Sequence, residues 1–525
     1  MSMISFLMKK YFRLEVKIFF SSFILFMLAG RSKLFSDPGT FTHTIIGENI
    51  IQSGNFIKND IFSFTFYGKP WVAHQWLGEC IMALLNRIGG LDALLFMGVL
   101  LLSSVYTWLA FRLNRSGLSP LFIGLVITLV FVSSSSHLHI RPHLFSILFL
   151  GIIYSILCDY EKGHVTFLKL LWLIPIFIVW TNIHGGVLAG IGTLWITVIG
   201  WSISRTIGLQ SSIKSHSELV RLWMLLILIS LTPFLNPYGS ETPKAWYAIM
   251  KSPVIEDVIL EHLSVFELFR YHKFNSFIAL VGILSLSLLY FISLAGYFPK
   301  KPRISLFIPA IWFILTLSRI RHAPLFAIVS AIALSEIIPD VRWFDWAKRK
   351  GLVSPRLRSM NPIGKPHLFA IFVVVFLIFS IIAGVHLKQL KAPLPDPIWA
   401  KLDAERWPIE LLPELKAYEK WRPEGTPIFN DFEYGGYLMY FTPELRVFID
   451  DRCELYGDKF LFDYVHPDFD RFFDYINRSD LEVALVRSSS KYANFFERMP
   501  DWKEVDHTGT AVLFKKSYSN FKDPV

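Results

Sequence analysis

The aspartate of SDPGTFTH (Ser36–His43) admits two chemistries. Asp37 followed by Pro38 is a common way to begin a helix, the carboxylate accepting a free backbone N–H. The same carboxylate, set beside a bound phosphoryl group, is a general base for an acceptor hydroxyl. Just downstream, KPWVAHQWLGE (Lys69–Glu79) brings His74 and Glu79. Glu79 and His43 could join Asp37 around a divalent metal, although no ligand run of the HExxH kind is present. Arg141 and His143 in HLHIRPH (His137–His143), and Arg319, Arg321 and His322 in SRIRH (Ser318–His322), stand at the ends of apolar stretches. The planar guanidinium fork matches phosphate oxygens, and reaching out to lipid headgroups is the competing role. His184 in TNIHGG (Thr181–Gly186) sits where two apolar stretches meet with almost no loop, either bonding a freed backbone carbonyl or facing a ligand.

These groups need a scaffold, and the composition restricts what it is. Of 525 residues, 53% are hydrophobic and 18% charged, too apolar for a soluble domain of ordinary usage. The net charge of +10 does not point to nucleic acid, because the basic residues lie in short loops between apolar runs. A bilayer asks for about 20 apolar residues per helix. About eleven such stretches occur, near Ile18–Gly30, Leu91–Phe111, Pro120–Ser135, His143–Leu157, Leu168–Thr181, Gly186–Ile203, Leu219–Leu235, Ser276–Phe298, Ile304–Ser318, His322–Pro339 and His367–Leu387. The amphipathic WLGECIMALLNRIGG (Trp76–Gly90) is expected to lie along the membrane interface before the second span enters. No small-residue cleavage site follows the first stretch, which is read as a retained span.

Charge sets the direction. With the N-terminal Lys9, Lys10, Arg13 and Lys17 in the cytoplasm, alternate loops carry Arg112 and Arg115, Lys162, Arg205 and Lys214, Lys300 to Arg303, and a basic run from Arg342 to Lys365. The opposite short loops hold Arg141, Arg319 and Arg321, as the positive-inside rule requires. The long first outer loop (31–90), HLHIRPH, TNIHGG, LNPYG (Leu235–Gly239) and SRIRH then share the outer face with the C-terminus. Polar groups beside a bilayer are costly and usually serve transport or chemistry, so their convergence predicts one site. The segment Ser240–Phe274, with Glu256, Asp257, Glu261 and Glu267, is too polar to cross and reads as a partly helical loop able to cover that site; a solvated helix face explains its acids.

Residues 1–390 thus form an α-helical polytopic membrane domain, and residues 391–525 a small extracytoplasmic α/β or α+β domain. In the latter a helix is expected near Leu411–Trp421, and strands in TPIFNDF, LRVFIDD, LEVALV and TAVLFKK, with YGGYLMYF helical between the first two. Asp431, Glu433, Asp450, Asp451 and Arg452 fall at strand ends, as loop-tip polarity or as the lining of an acceptor cleft. Cys80, Cys158 and Cys453 form no metal spacing and no disulfide framework.

An Asp soon after the first span, interfacial helices, about eleven spans and an outer C-terminal domain resemble the GT-C superfamily of polytopic glycosyltransferases. SDPGTFTH, FSFTFYGKPWVAHQWLGE, HIRPH, NIHGG, NPYG, SRIRHAP and NDFEYGGYL with FIDDR are similar to an uncharacterised bacterial branch of that fold. The resemblance implies an inner-membrane enzyme moving a sugar from a polyprenyl-phosphate carrier to an outer-face acceptor, with Asp37 as base and arginines on the leaving phosphate. No paired-acid motif occurs in the first loop and no WWD signature in the C-terminal domain, which disfavours protein N-glycosylation. A transporter or flippase of a lipid-linked glycan, and a non-catalytic envelope scaffold, are the competing classes.

Overall fold

The computed structural model describes residues 13–208, 213, 215–270, 274–298, 303–343, 349, 399–478 and 480–517. Among them, seven helices are long and apolar enough to cross a membrane, which makes this a multi-pass membrane protein. Shorter apolar helices at Phe167–Ile183 and Ile304–Ser318, and α1 (Leu14–Ala29), fall on three further expected spans. The expected span His367–Leu387 lies outside the described residues, as do the side chains of Glu256 and Asp257.

After α1 come α2 (Gly39–Ser53), α3 (Trp76–Arg115), α4 (Pro120–Ser134), α5 (His143–Glu161), α6 (Leu173–Ile183), α7 (Val187–Thr206), α8 (His216–Ser230), α9 (Glu241–Lys251), α10 (Phe274–Tyr297), α11 (Ile308–Ser318) and α12 (Ala323–Ile337). The helix α3 is two segments: its dihedrals break at Gly89 and Gly90, and Gly90 takes a φ of 58° that glycine adopts without steric cost. The break divides the expected interfacial piece from the span. The helix α12 is buried along its whole length and packs against α3, α4, α5, α10 and α11. A helix apolar all round belongs at the centre of a bundle.

At the end where α5 stops and α12 runs out, charges pair with charges. Glu336 accepts from Arg112 at 3.2 Å and from Arg303 at 2.9 Å and also holds Lys162, while Arg112 reaches Asp159 at 3.1 Å. Glu161 accepts from the backbone of Ile304 and Ser305 at 2.7 and 2.9 Å and from Trp201 Nε1 at 2.8 Å.

At the other end sits the C-terminal domain, a mixed five-stranded sheet of order β2-β1-β3-β5-β4. The strands are β1 (Thr426–Asn430), β2 (Leu445–Val447), β3 (Val483–Arg487), β4 (Trp502–His507) and β5 (Ala511–Lys516). β1 runs parallel to β2 and β3, and β5 runs antiparallel to β3 and β4. The parallel step from β1 to β2 passes through α13 (Gly435–Phe441), and a helix at Leu412–Lys420 precedes the sheet, both as expected. Phe429 anchors the core among Phe448, Phe472, Tyr492 and Phe496, each such pair worth ~0.5–1.5 kcal/mol beyond its buried area.

The domain is joined to the first loop by backbone and charge. Phe64 and Val447 exchange strand-like bonds at 3.0 and 3.1 Å through Phe64 N and Phe62 O. Arg452, buried over Trp71, pairs with Asp60 at 2.7 Å and Asp450 at 2.6 Å. The YGG motif supplies close approach: a Cβ on Gly436 would overlap the Pro38 carbonyl and the Thr42 hydroxyl. Only glycine lets α13 seat on α2 this tightly.

Candidate functional site

One cavity of about 380 Å³ opens between the bundle and the C-terminal domain. His43, His74, Glu79, Arg141, His143, His184, Arg319, Arg321 and His322 all line it, so the loops that the sequence set on one face converge on one chamber. Asp37 is not part of the lining. Its two oxygens accept from Arg141 Nη1 at 3.0 and 3.1 Å, and its Oδ1 accepts the Gly39 N–H at 2.8 Å. It therefore begins α2 and at the same time fixes a cation of the wall.

Other lining groups come from outside the outer loops, among them one of the acids that the sequence left between loop-tip polarity and the lining of an acceptor cleft. Asp451, on the loop after β2, enters the chamber from the C-terminal domain and accepts the Thr42 hydroxyl at 2.5 Å. Burial pushes its carboxyl up to about 7, with Arg141 and the Thr42 hydrogen bond opposing and the charges of Asp450 and Asp37 adding. A half-buried carboxyl titrating near neutrality is suited to taking a proton. Its neighbour Asp450 has the opposite fate, spent on Arg452 and on the Tyr456 hydroxyl at 2.8 Å. Asp431 is likewise structural, holding Tyr464 at 2.9 Å, Ser490 at 3.1 Å and the Arg487 N–H at 2.7 Å. Two adjacent acids after a buried strand were the available signal, and only the fold tells which one faces the cavity.

His43, His184 and His262 are neutral donors and acceptors more than cations. Burial, then Arg141 and the neighbouring histidines, hold His43 well below its ordinary value. Burial, then Arg321 and Arg141, do the same to His184. His262, which the sequence did not single out, is lowered to about 2 by burial and by Arg321 and Arg319. His43 Nδ1 meets Glu79 Oε1 at 2.9 Å, while His43 Nε2 and Glu79 Oε2 are buried without a hydrogen-bond partner. His184 Nδ1 accepts the Gly186 N–H at 2.9 Å and faces Ser146 Oγ at 2.8 Å, holding the α6–α7 turn. Other lining atoms without a hydrogen-bond partner include His74 Nδ1, Gln75 Oε1, His143 Nδ1 and Trp246 Nε1. Unmet buried polar atoms are rare in proteins; several line this space, and others, Arg112 Nε and Arg303 Nη1 among them, lie at the far end of the bundle.

The segment Ser240–Phe274 covers this chamber as expected, in α9 and short helical turns whose Trp246, Ile249, Met250, Ile255 and Ile259 form an apolar wall opposite the polar one. Glu261 is not on a solvated face: it packs against His137 at 3.1 Å and His139 at 3.5 Å. The backbone bond from Ile320 N to Leu263 O at 3.1 Å, and Arg321 bonded to His262, tie the segment to SRIRH. Of the groups weighed for a metal, His43 and Glu79 meet directly, whereas Asp37 is turned to Arg141. Cys80, Cys158 and Cys453 are free thiols.

No protein-family model matches the chain, and no curated protein does. Among solved structures, it is similar to ArnT from Cupriavidus metallidurans in the apo state, with 13% identity over 95% of this chain and 97% of that one and a TM-score of 0.49. The same protein bound to undecaprenyl phosphate gives 13% identity, 96% and 98% coverage and 0.48. An oligosaccharyltransferase of Archaeoglobus fulgidus, tethered to an acceptor peptide, gives 11% identity, 92% and 70% coverage and 0.47. Both proteins are glycosyltransferases of the GT-C type.

Proposed function

We propose that the chain is a membrane glycosyltransferase that takes a sugar from a polyprenyl-phosphate carrier and passes it to an acceptor entering beside the C-terminal domain. The observation that carries this reading is a single chamber with three arginines on one side, a carboxyl titrating near 7 on another, and an apolar wall under an otherwise polar lid. A ligand that is anionic at one point and hydrocarbon at the other fits such a chamber. Arg141, Arg319 and Arg321 receive the phosphate. Asp451 takes the proton of the acceptor hydroxyl as its oxygen bonds to the anomeric carbon and the carbon–oxygen bond to phosphate breaks. The charge developing on the departing phosphate is held by guanidinium groups already in place. Asp37, the base expected from the sequence, acts beside Asp451 by fixing Arg141 between the two carboxylates.

A flippase needs a polar path through the bundle. The described bundle has the buried α12 at its centre and a closed ion-pair cluster at the far end, which favours chemistry on one face. The test is turnover of a polyprenyl-phosphate sugar by the purified chain in nanodiscs, water serving as surrogate acceptor. Sugar release by the wild type that falls in Asp451→Asn supports the reading. Release that is equal in both removes Asp451 as base, and no release with intact binding leaves the scaffold class ahead.

A further inference from the structure

Beside the chamber, three side chains from distant parts of the chain point their donor atoms at one another. His137 and His139 come from HLHIRPH and Glu261 from the covering segment, and one ligand atom from each lies within 4.8 Å of the others. We propose that His137, His139 and Glu261 bind a zinc ion that fastens the covering segment to the bundle.

Four observations carry this. The Glu261 Oε1 separations of 3.1 Å to His137 Nδ1 and 3.5 Å to His139 Nε2 bracket the ~3.4 Å edge of a tetrahedron whose ligands stand about 2.1 Å from the metal. His137 Nδ1 is buried and faces the carboxylate without the alignment of a hydrogen bond. The surroundings already orient one ligand: Ser36 Oγ stands 3.3 Å from His139 Nδ1, leaving Nε2 for the metal. Such an outer contact is what a zinc-bound imidazole needs. Finally, backbone bonds anchor each segment to its own neighbour without help from the ion, Ile140 N to Leu34 O at 3.0 Å for HLHIRPH and Ile320 N to Leu263 O at 3.1 Å for the covering segment.

Two nitrogens and one carboxylate favour zinc over magnesium, which prefers an all-oxygen octahedron. Three protein ligands leave a fourth position open, the pattern of zinc sites that also take water or substrate. His137 lines the chamber as well, so the ion borders the ligand space. Zinc binding and sugar transfer can each fail without the other.

The experiment uses the full chain in nanodiscs, stripped with chelator and titrated with Zn²⁺ alone, bound metal being counted by mass spectrometry. One zinc per chain is expected, with affinity reduced at least about tenfold in His139→Ala and in the shape-conserving Glu261→Gln. Cobalt substitution should give the visible bands of a four- or five-coordinate site, altered in Glu261→Gln, whose fold is checked by its unchanged melting temperature in the absence of metal. Amides of residues 259–264 should exchange more slowly once zinc is added. The proposal is overturned if no stoichiometric zinc binds. It is equally overturned if His139→Ala and Glu261→Gln bind zinc as the wild type does, or if His43→Ala abolishes binding instead, which would move the site to the His43–Glu79 pair.

Discussion

The two ends of the helical bundle hold similar inventories of charge and use them in opposite ways. At one end Arg112, Lys162 and Arg303 each have a carboxylate partner, and Glu336 sits at their centre. At the other end Arg321 meets the imidazole of His262, and seven histidines line a space with several unmet polar atoms. Buried charges that are mutually neutralised hold helices in register. Polar atoms left unmet beside an open space cost stability, and a ligand entering that space can complete them. On the proposed function, the contrast separates polarity that holds the bundle from polarity that binds a ligand.

The sharpest way to break the comparison is to remove cations from each end. The double variant Arg319→Ala/Arg321→Ala should lose roughly 10²–10⁴-fold in affinity for undecaprenyl phosphate, since each charge-assisted hydrogen bond is worth about 1.5–3 kcal/mol. Titration in nanodiscs followed by native mass spectrometry reads this, and the melting temperature should fall less than in Glu336→Gln. Glu336→Gln should do the reverse. It leaves three cations around a neutral amide, costs about 3–5 kcal/mol, lowers the melting temperature, and leaves undecaprenyl phosphate affinity of the folded protein within about twofold.

A smaller effect tests the carboxylates. Asp451→Asn should slow sugar release by about 10²-fold, the lower range for a general base. Because burial raises the Asp451 carboxyl to about 7, wild-type release should climb as pH rises through 7, and the variant's profile should be flat there. The folded state binds this proton more tightly than the unfolded chain does. Its contribution to stability is therefore full at low pH and declines between about 4 and 7, a slope that Asp451→Asn should remove from the melting curve.

The smallest change tests the seam between bundle and domain. Gly436→Ala places a methyl against the Pro38 carbonyl and Thr42 hydroxyl and should cost about 1–3 kcal/mol, seen as faster proteolysis of the C-terminal domain. Asp451 would shift with it, so sugar release should fall too.

Much of this site was legible because polar residues beside apolar runs stand out. HLHIRPH, TNIHGG and SRIRH announced themselves, and the positive-inside rule put them on one side, where the fold does bring them together. The break at Gly89–Gly90 was readable from the change from amphipathic to uniformly apolar sequence. What stayed hidden depended on long-range packing. Asp450 and Asp451 are adjacent and identical in type, yet one is held by Arg452 and the other by Thr42 across the domain seam. Glu261 read as solvated because nothing local shows that it meets His137 and His139. The edge strand β4 escaped because WKEVDH carries mostly exposed side chains and lacks the short apolar run that marked the other four strands.

The most direct test of the central claim is mass analysis of the lipids that stay with the full chain through purification. Retention of a polyprenyl phosphate by the wild type, absent from Arg319→Ala/Arg321→Ala and present in Glu336→Gln, is the expected result. Ordinary phospholipids alone, in equal amounts in all three proteins, would contradict a chamber built for a phosphorylated lipid carrier.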